Sequence, residues 1–127
     1  LVGKLVAEEG VNEKMAEFIN PIAYLGDQMT KFTTEIGFKG YQNPDEIGAA
    51  AVDYLRVAGH LVFGYFWARM AQTALREIAA GNTDPFYVAK LQTARFYFAK
   101  LFPETATLMR TARAGSKVLI DTDAALA

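Results

Sequence analysis

Asn43-Pro44-Asp45-Glu46-Ile47 opens a run of helical pattern that continues without interruption to about Ala80, where Gly81-Asn82 supply the stop. Asn43 reads as the N-cap, Pro44 takes the first helical position, and Glu46 completes an Asn-x-x-Glu capping box. At the rise of an α-helix this run makes a rod of roughly 50 Å, very long for a small domain. One face carries Ile47, Ala51, Tyr54, Leu55, Ala58, Leu61, Val62, Tyr65, Arg69 and Gln72. Small residues recur at Gly48, Ala49, Ala50, Ala51, Ala58, Gly59, Gly64, Ala68 and Ala71, which lets neighbouring helices come close.

The segments on either side have the same period. Upstream, Val11, Met15, Phe18, Ile22, Leu25, Met29, Phe32 and Ile36 form one stripe in steps of four and three, with Asn12 as N-cap. Pro21 interrupts this stripe without changing its phase, so one kinked helix is expected, ending near Phe38. Downstream, Asp84 and Pro85 start a third helix whose stripe is Tyr87, Leu91, Ala94, Phe98, Leu101, Thr105, Leu108 and Ala112. Pro103 is expected to kink it, again in phase, and Gly115 ends it before a short turn from Ser116 to about Asp121. Connections of about four to six residues make neighbours antiparallel. The expected fold is all-α: an up-down bundle of three long, partly kinked helices plus a short C-terminal helical piece, one domain over residues 1–127.

Composition narrows the function. The 127 residues are 52% hydrophobic and 21% charged, a globular balance. Thirteen Lys and Arg against fourteen Asp and Glu leave a net charge of −1, with no basic footprint for nucleic acid. Zero Cys removes disulfides, thiol catalysis and Cys-ligated metals from these residues, and a single His removes any His-pair metal site. The most apolar run, Val57 to Ala68, is bracketed by Arg56 and Arg69 and falls short of the roughly 20 residues of a membrane span. The chain begins Leu-Val-Gly-Lys without a signal-peptide pattern, and it reads as a piece of a longer, cytoplasmic protein.

The residues that invite a chemical reading have structural ones beside it. His60 reads as a locally hydrogen-bonded structural histidine, because its own helix offers only Tyr and Gly at the neighbouring turns. Of the paired carboxylates, Asp45–Glu46 is explained by a helix N-terminus, while Glu8–Glu9 and Asp121–Asp123 lie in segments that look frayed. Asp53 and Arg56 are spaced to pair on one helix face. Arg69 and Arg95 sit in apolar surroundings, where each either pairs internally or reaches across an interface. Arg110, Arg113 and Lys117 share a face, either solvated or turned to a phosphate or an acidic partner. No catalytic, cofactor-binding or metal residue is assigned.

The aromatic residues point outward. Phe63, Tyr65, Phe66 and Trp67 go around their helix, as do Phe86, Tyr87, Phe96, Tyr97, Phe98 and Phe102 on the third. Helices apolar on all sides need covering on all sides, and three helices cannot supply it. A docking surface follows, with Phe63, Phe66, Trp67, Arg69, Arg95 and Phe96 as its candidate residues.

Two segments carry a family resemblance. Asp53-Tyr-Leu-Arg-Val-Ala-Gly-His60 through Ala71, and Lys90-Leu-Gln-Thr-Ala-Arg-Phe-Tyr-Phe-Ala-Lys-Leu-Phe-Pro-Glu-Thr105, resemble the extra C-terminal helical domain of long bacterial acyl-CoA dehydrogenases. The group that includes 3-methylmercaptopropionyl-CoA dehydrogenases is the one most resembled. The resemblance implies a flavoprotein parent in which a carboxylate takes the α-proton of an acyl-CoA thioester while FAD accepts hydride from the β-carbon, usually in homo-oligomers. It also implies that the catalytic carboxylate and most FAD contacts precede this domain, so FAD belongs to the parent and the fragment alone is not an enzyme. The expected partners are the rest of its own polypeptide and further subunits, with acyl-CoA as the parent's substrate. A free-standing helical adaptor or dimerisation module is the alternative.

Overall fold

A computed structural model describes residues 1–120, and the chain is helical over most of them with no strand among the described residues. Helix α1 is Val2–Glu9, α2 is Ala16–Gln42, α3 is Asp45–Ala79, α4 is Pro85–Phe96, α5 is Glu104–Ala112 and α6 is Lys117–Ile120. A 3-10 turn, Glu13–Met15, precedes α2, and a π-helical turn, Tyr97–Leu101, separates α4 from α5. The long helix α3 is central: α2 packs against it, as do α4 and α5, and α1 folds onto α2. Three arms therefore form the expected bundle.

Helix α2 follows its sequence pattern. Met15, Phe18, Ile22, Leu25, Met29 and Phe32 are buried, whereas Val11 stands in solvent in the turn after α1. Asn12 caps as expected, its side-chain oxygen accepting the Lys14 N–H at 3.1 Å. The helix runs through Pro21 as one element and passes Phe38 to Gln42, so Gly37 and Gly40 do not end it. The link to α3 is only Asn43 and Pro44, shorter than the expected four to six residues.

Helix α3 departs from its pattern. Its fully buried side is the line Ala50, Val57, Gly64, Ala68 and Ala71; of the expected stripe, Gln72 is buried and Tyr54, Ala58, Leu61 and Tyr65 pack half-buried against the core, while Ile47, Leu55 and Val62 are exposed. The physical reason is its central position. Arms approach closely only where side chains are short, and a Cβ on Gly64 would come within 2.8 Å of Ile22 and 3.0 Å of Phe102. Its ends behave as read, with Asn43 Oδ1 accepting the Asp45 N–H at 3.2 Å. Glu46 does not close a capping box; its carboxylate accepts the Ser116 hydroxyl at 2.7 Å and so ties the chain end back to α3. At the other end Gly81, with φ of 91°, closes a Schellman turn through Gly81 N–H to Ile78 and Asn82 N–H to Glu77.

The third arm is broken rather than kinked in phase. Pro103 has no N–H for the Ala99 carbonyl, and its ring crowds that carbonyl. The turn before it widens, with the Phe102 N–H donating to the Tyr97 carbonyl at 2.9 Å. The extra residue shifts the register around the turn, bringing in Tyr97 and Phe102 in place of Leu101, while Thr105 and Ala112 of the expected stripe stay buried beyond it. Leu91 and Ala94 are buried before it; Tyr97, Phe102, Thr105, Met109 and Ala112 are buried within and after it. Leu101 is exposed, and Phe98 and Leu108 are half-buried, contrary to the single stripe.

The segment read as frayed is α1. Leu5 is fully buried, and Glu8 and Glu9 reach across to α3. The short terminal turn exists as α6, while Asp121 and Asp123 lie outside the described residues.

Candidate docking interface

Of the six candidate residues, three face solvent. Phe63 is 61% exposed and Phe66 54% on α3, and Phe96 is 57% exposed on α4. The outer side of α3 extends well beyond these two aromatics, with Val52 78% exposed, Leu55 74% and Val62 53%. It lies diametrically opposite the buried Ala50–Gly64–Ala71 line at 100° per residue. Gly48 and Gly59 belong to this side too, since a Cβ added at either would meet nothing within 4 Å. A continuous apolar strip thus runs from Gly48 to Phe66, over about half of the central helix.

Shallow apolar grooves flank the strip at both ends. One, of about 380 Å³, lies between α2 and α3 among Phe32, Ile36, Ile47, Tyr54 and Leu55. The other, of about 420 Å³, lies between α3 and α4 among Phe66, Met70, Ala74, Phe86 and Tyr87. Neither fits FAD, whose pyrophosphate requires converging backbone or cationic donors. Arg69, Thr73, Tyr87 and Lys90 are the residues that bring polar groups to the larger groove, and Arg69 is bound elsewhere.

The other three candidate residues make contacts within the chain, Trp67 and Arg69 partly buried and Arg95 at the surface. Trp67 is half-buried and stacks on Tyr97 at 6.3 Å, with Lys90 Nζ 5.8 Å from its ring centre. Arg69 Nε donates to the Tyr65 hydroxyl at 3.0 Å, while its Nη1 donates to Glu8 at 2.7 Å and Gln72 at 2.9 Å. Those contacts hold Arg69 above its ordinary pKa, Tyr65 first and Glu8 next. Arg69 and then Gln72 hold Glu8 below its usual value, and Gln72 and then Asn12 do the same for Glu9. Arg95 Nε donates to Glu17 at 2.8 Å, its guanidinium 5.9 Å from the Phe18 ring centre. Internal pairing, one of the two readings of these arginines, is what the fold shows.

His60 is 14% exposed and sits where α3 meets the π turn. Its Nδ1 lies 3.0 Å from the Tyr97 hydroxyl and its Nε2 2.9 Å from Glu104. Tyr97 also donates to the His60 carbonyl at 3.0 Å, and burial pushes its phenol up to about 12. Arg56 pairs with Glu104 at 2.7 Å rather than with Asp53, which accepts from Thr111. The two ring nitrogens of His60 thus hold the π turn, through Tyr97, and the start of α5, through Glu104, against α3. The partner absent from the sequence reading is Glu104, whose signal was its place as the lone acid between Pro85 and Ile120. Arg113, from the basic face, lies 5.4 Å from the Phe32 ring centre and 3.7 Å from Glu35.

No group of three or more His, Cys, Asp or Glu among the described residues is placed to hold a metal. No described helix is long and apolar enough to cross a membrane. The sequence profile of a family described as "Acetyl-CoA dehydrogenase C-terminal like" matches residues 1–123. No curated protein matches the chain significantly.

Proposed function

The chain belongs to the acetyl-CoA dehydrogenase C-terminal-like family, and on that footing we propose that it is the accessory helical domain of an FAD-dependent acyl-CoA dehydrogenase. The parent enzyme carries out α,β-dehydrogenation of an acyl-CoA thioester in the cytoplasm. FAD supplies the hydride acceptor when bound, and both it and the catalytic carboxylate belong to the rest of the polypeptide. Within the family, the Lys90–Thr105 segment supports placing the parent in the 3-methylmercaptopropionyl-CoA dehydrogenase-like group.

What this domain does in that enzyme is to pack and assemble. One observation carries the reading: α3, the helix with the most neighbours, leaves Val52, Leu55, Val62, Phe63 and Phe66 uncovered along a single side. An apolar strip of that extent marks a docking surface. Phe96 on α4 adds a third exposed aromatic, whereas Trp67, Arg69 and Arg95 are engaged with Tyr97, Glu8 and Glu17 of their own chain.

The test uses the native polypeptide that contains this chain. It should carry a flavin spectrum that an acyl-CoA bleaches, and Phe66→Asp should loosen its assembly and lower its activity. A colourless polypeptide, or an unchanged assembly with unchanged activity in Phe66→Asp, would overturn the proposal.

A further inference from the structure

The outer strip of α3 has a finer order than apolarity. Asp45, Gly48, Val52, Leu55, Gly59, Val62, Phe66 and Arg69 follow one another in steps of three and four without a break. That spacing is the a/d seam of a coiled coil, narrower than the stripe a helix turns to a globular core. From Gly48 to Phe66 it runs about 27 Å along the helix. Its sizes and charges are arranged in a particular order.

In an antiparallel coiled coil each a position shares a layer with a d position of the other helix. Pairing the seam with an inverted copy of itself about the level of Val57 sets Asp45 opposite Arg69, Gly48 opposite Phe66, Val52 opposite Val62, and Leu55 opposite Gly59. Each large side chain then faces a glycine and the two valines face each other, while Arg69 at the seam's end stays bonded to Tyr65, Glu8 and Gln72 of its own chain. Gly48 and Gly59 are open in the fold, so their hollows are available to a partner's side chains.

We propose that this face binds a second copy of the same chain, α3 against α3, antiparallel about a two-fold axis near Val57. The proposal names the occupant of the docking surface described above and rests on that surface being one.

Three further points favour a second copy in this orientation. The N-terminal end of α3 carries Asp45 and its C-terminal half Arg76, while Glu46, Asp53 and Arg69 are bonded within the chain to Ser116, Thr111 and Glu8. Inversion therefore joins unlike halves and opposes the helix dipoles, whereas a parallel pair would join like ones. Arg56 flanks the seam close to the axis, and it arrives with Glu104 as its counter-ion at 2.7 Å. The strip with its neighbours Ile47 and Phe63 offers on the order of 500 Å² of apolar side chain per copy, approaching the roughly 800 Å² per partner of a standard interface. The grooves at each end of the strip can supply the remainder.

The chain contains no cysteine, so engineered thiols report without background. Gly59→Cys and Leu55→Cys each place a thiol on the exposed face without entering the core. The expected result is a covalent dimer when a Gly59→Cys chain is oxidised together with a Leu55→Cys chain. Val52→Asp should weaken dimerisation about 100-fold. A concentration-independent monomer in sedimentation overturns the proposal, and so does self-cross-linking of Gly59→Cys alone, which is the parallel arrangement. If the flavoprotein parent is confirmed and Phe66→Asp disrupts it while the mixed pair stays uncross-linked, the strip is covered by the rest of its own polypeptide. Self-pairing then falls and the accessory role stands. A colourless parent whose mixed pair still cross-links gives the reverse.

Discussion

Helices α2 and α3 solve the same packing problem in opposite ways. Helix α2 has one apolar side, filled with large residues from Met15 to Phe32, and buries it. Helix α3 has two, and it buries the one made of Ala50, Val57, Gly64, Ala68 and Ala71 while leaving Val52, Leu55, Val62 and Phe66 bare. Large side chains on α2 fit because the facing surface of α3 is nearly smooth. Helix α2 therefore builds the core, and α3 provides a close-packing spine on one side and a docking seam on the other.

The largest test of this contrast replaces a phenylalanine on each helix. Phe18→Ala removes a ring that is fully buried and should cost about 3–5 kcal/mol. Phe66→Ala should change the stability of the dissociated chain by less than about 0.5 kcal/mol. Denaturant unfolding at low chain concentration measures both, and equal losses would break the distinction between the helices.

A second test sets the two sides of α3 against each other at glycines. Gly64→Val forces a side chain into the space of Ile22 and Phe102 and should cost about 3 kcal/mol. Gly59→Ala meets nothing and should stabilise the dissociated chain by about 0.5–1 kcal/mol through helix propensity. Thermal unfolding of the pair should give shifts of opposite sign. A third, smaller effect concerns the clamp on the π turn. Tyr97→Phe strips the hydroxyl from His60 and should lose about 1–2 kcal/mol. Hydrogen exchange should localise the loss to the α4–α5 junction.

The smallest effect is the response to acid. Glu8, Glu9 and Glu46 have folded pKa values below the ordinary 4.5, through their bonds to Arg69, Gln72 and Ser116. Their contribution is present above 4.5 and disappears as pH falls through the depressed folded values, because the unfolded chain then binds more protons. Helix α1 and the chain end near Ser116 should loosen first, read as faster amide exchange in those segments below 4.5 than above it. In Gln72→Leu, α1 should already exchange faster at neutral pH.

The sequence was most readable where local chemistry decides the outcome. The Asn12 and Asp84 caps, the stop at Gly81 and the stripe of α2 all follow from nearest neighbours and period. On α3 the period was present twice, and periodicity alone gives no reason to prefer alanines over leucines for the core. That choice is made by how closely α2 and the third arm approach, which is tertiary. The register change at Tyr97 was hidden for a related reason: a proline kink and a π turn share the same residues, and only the phase after Pro103 separates them. Helix α1 was misread because its anchor, Glu8 and Glu9 on Arg69 and Gln72, spans more than sixty residues of sequence. Phe63 and Phe66 were recognisable as surface aromatics, but the role of Glu104 was not, because it matters only beside Arg56 and His60, more than forty residues away.

The account turns on whether the outer strip of α3 is covered in the native protein. Oxidative footprinting of the native assembly measures this directly, with Phe18 as the buried reference and Tyr24, 68% exposed on α2, as the open one. Protection of Phe63 and Phe66 to the level of Phe18, while Tyr24 is labelled, is the predicted result. Labelling of Phe63 and Phe66 as readily as Tyr24 would contradict it.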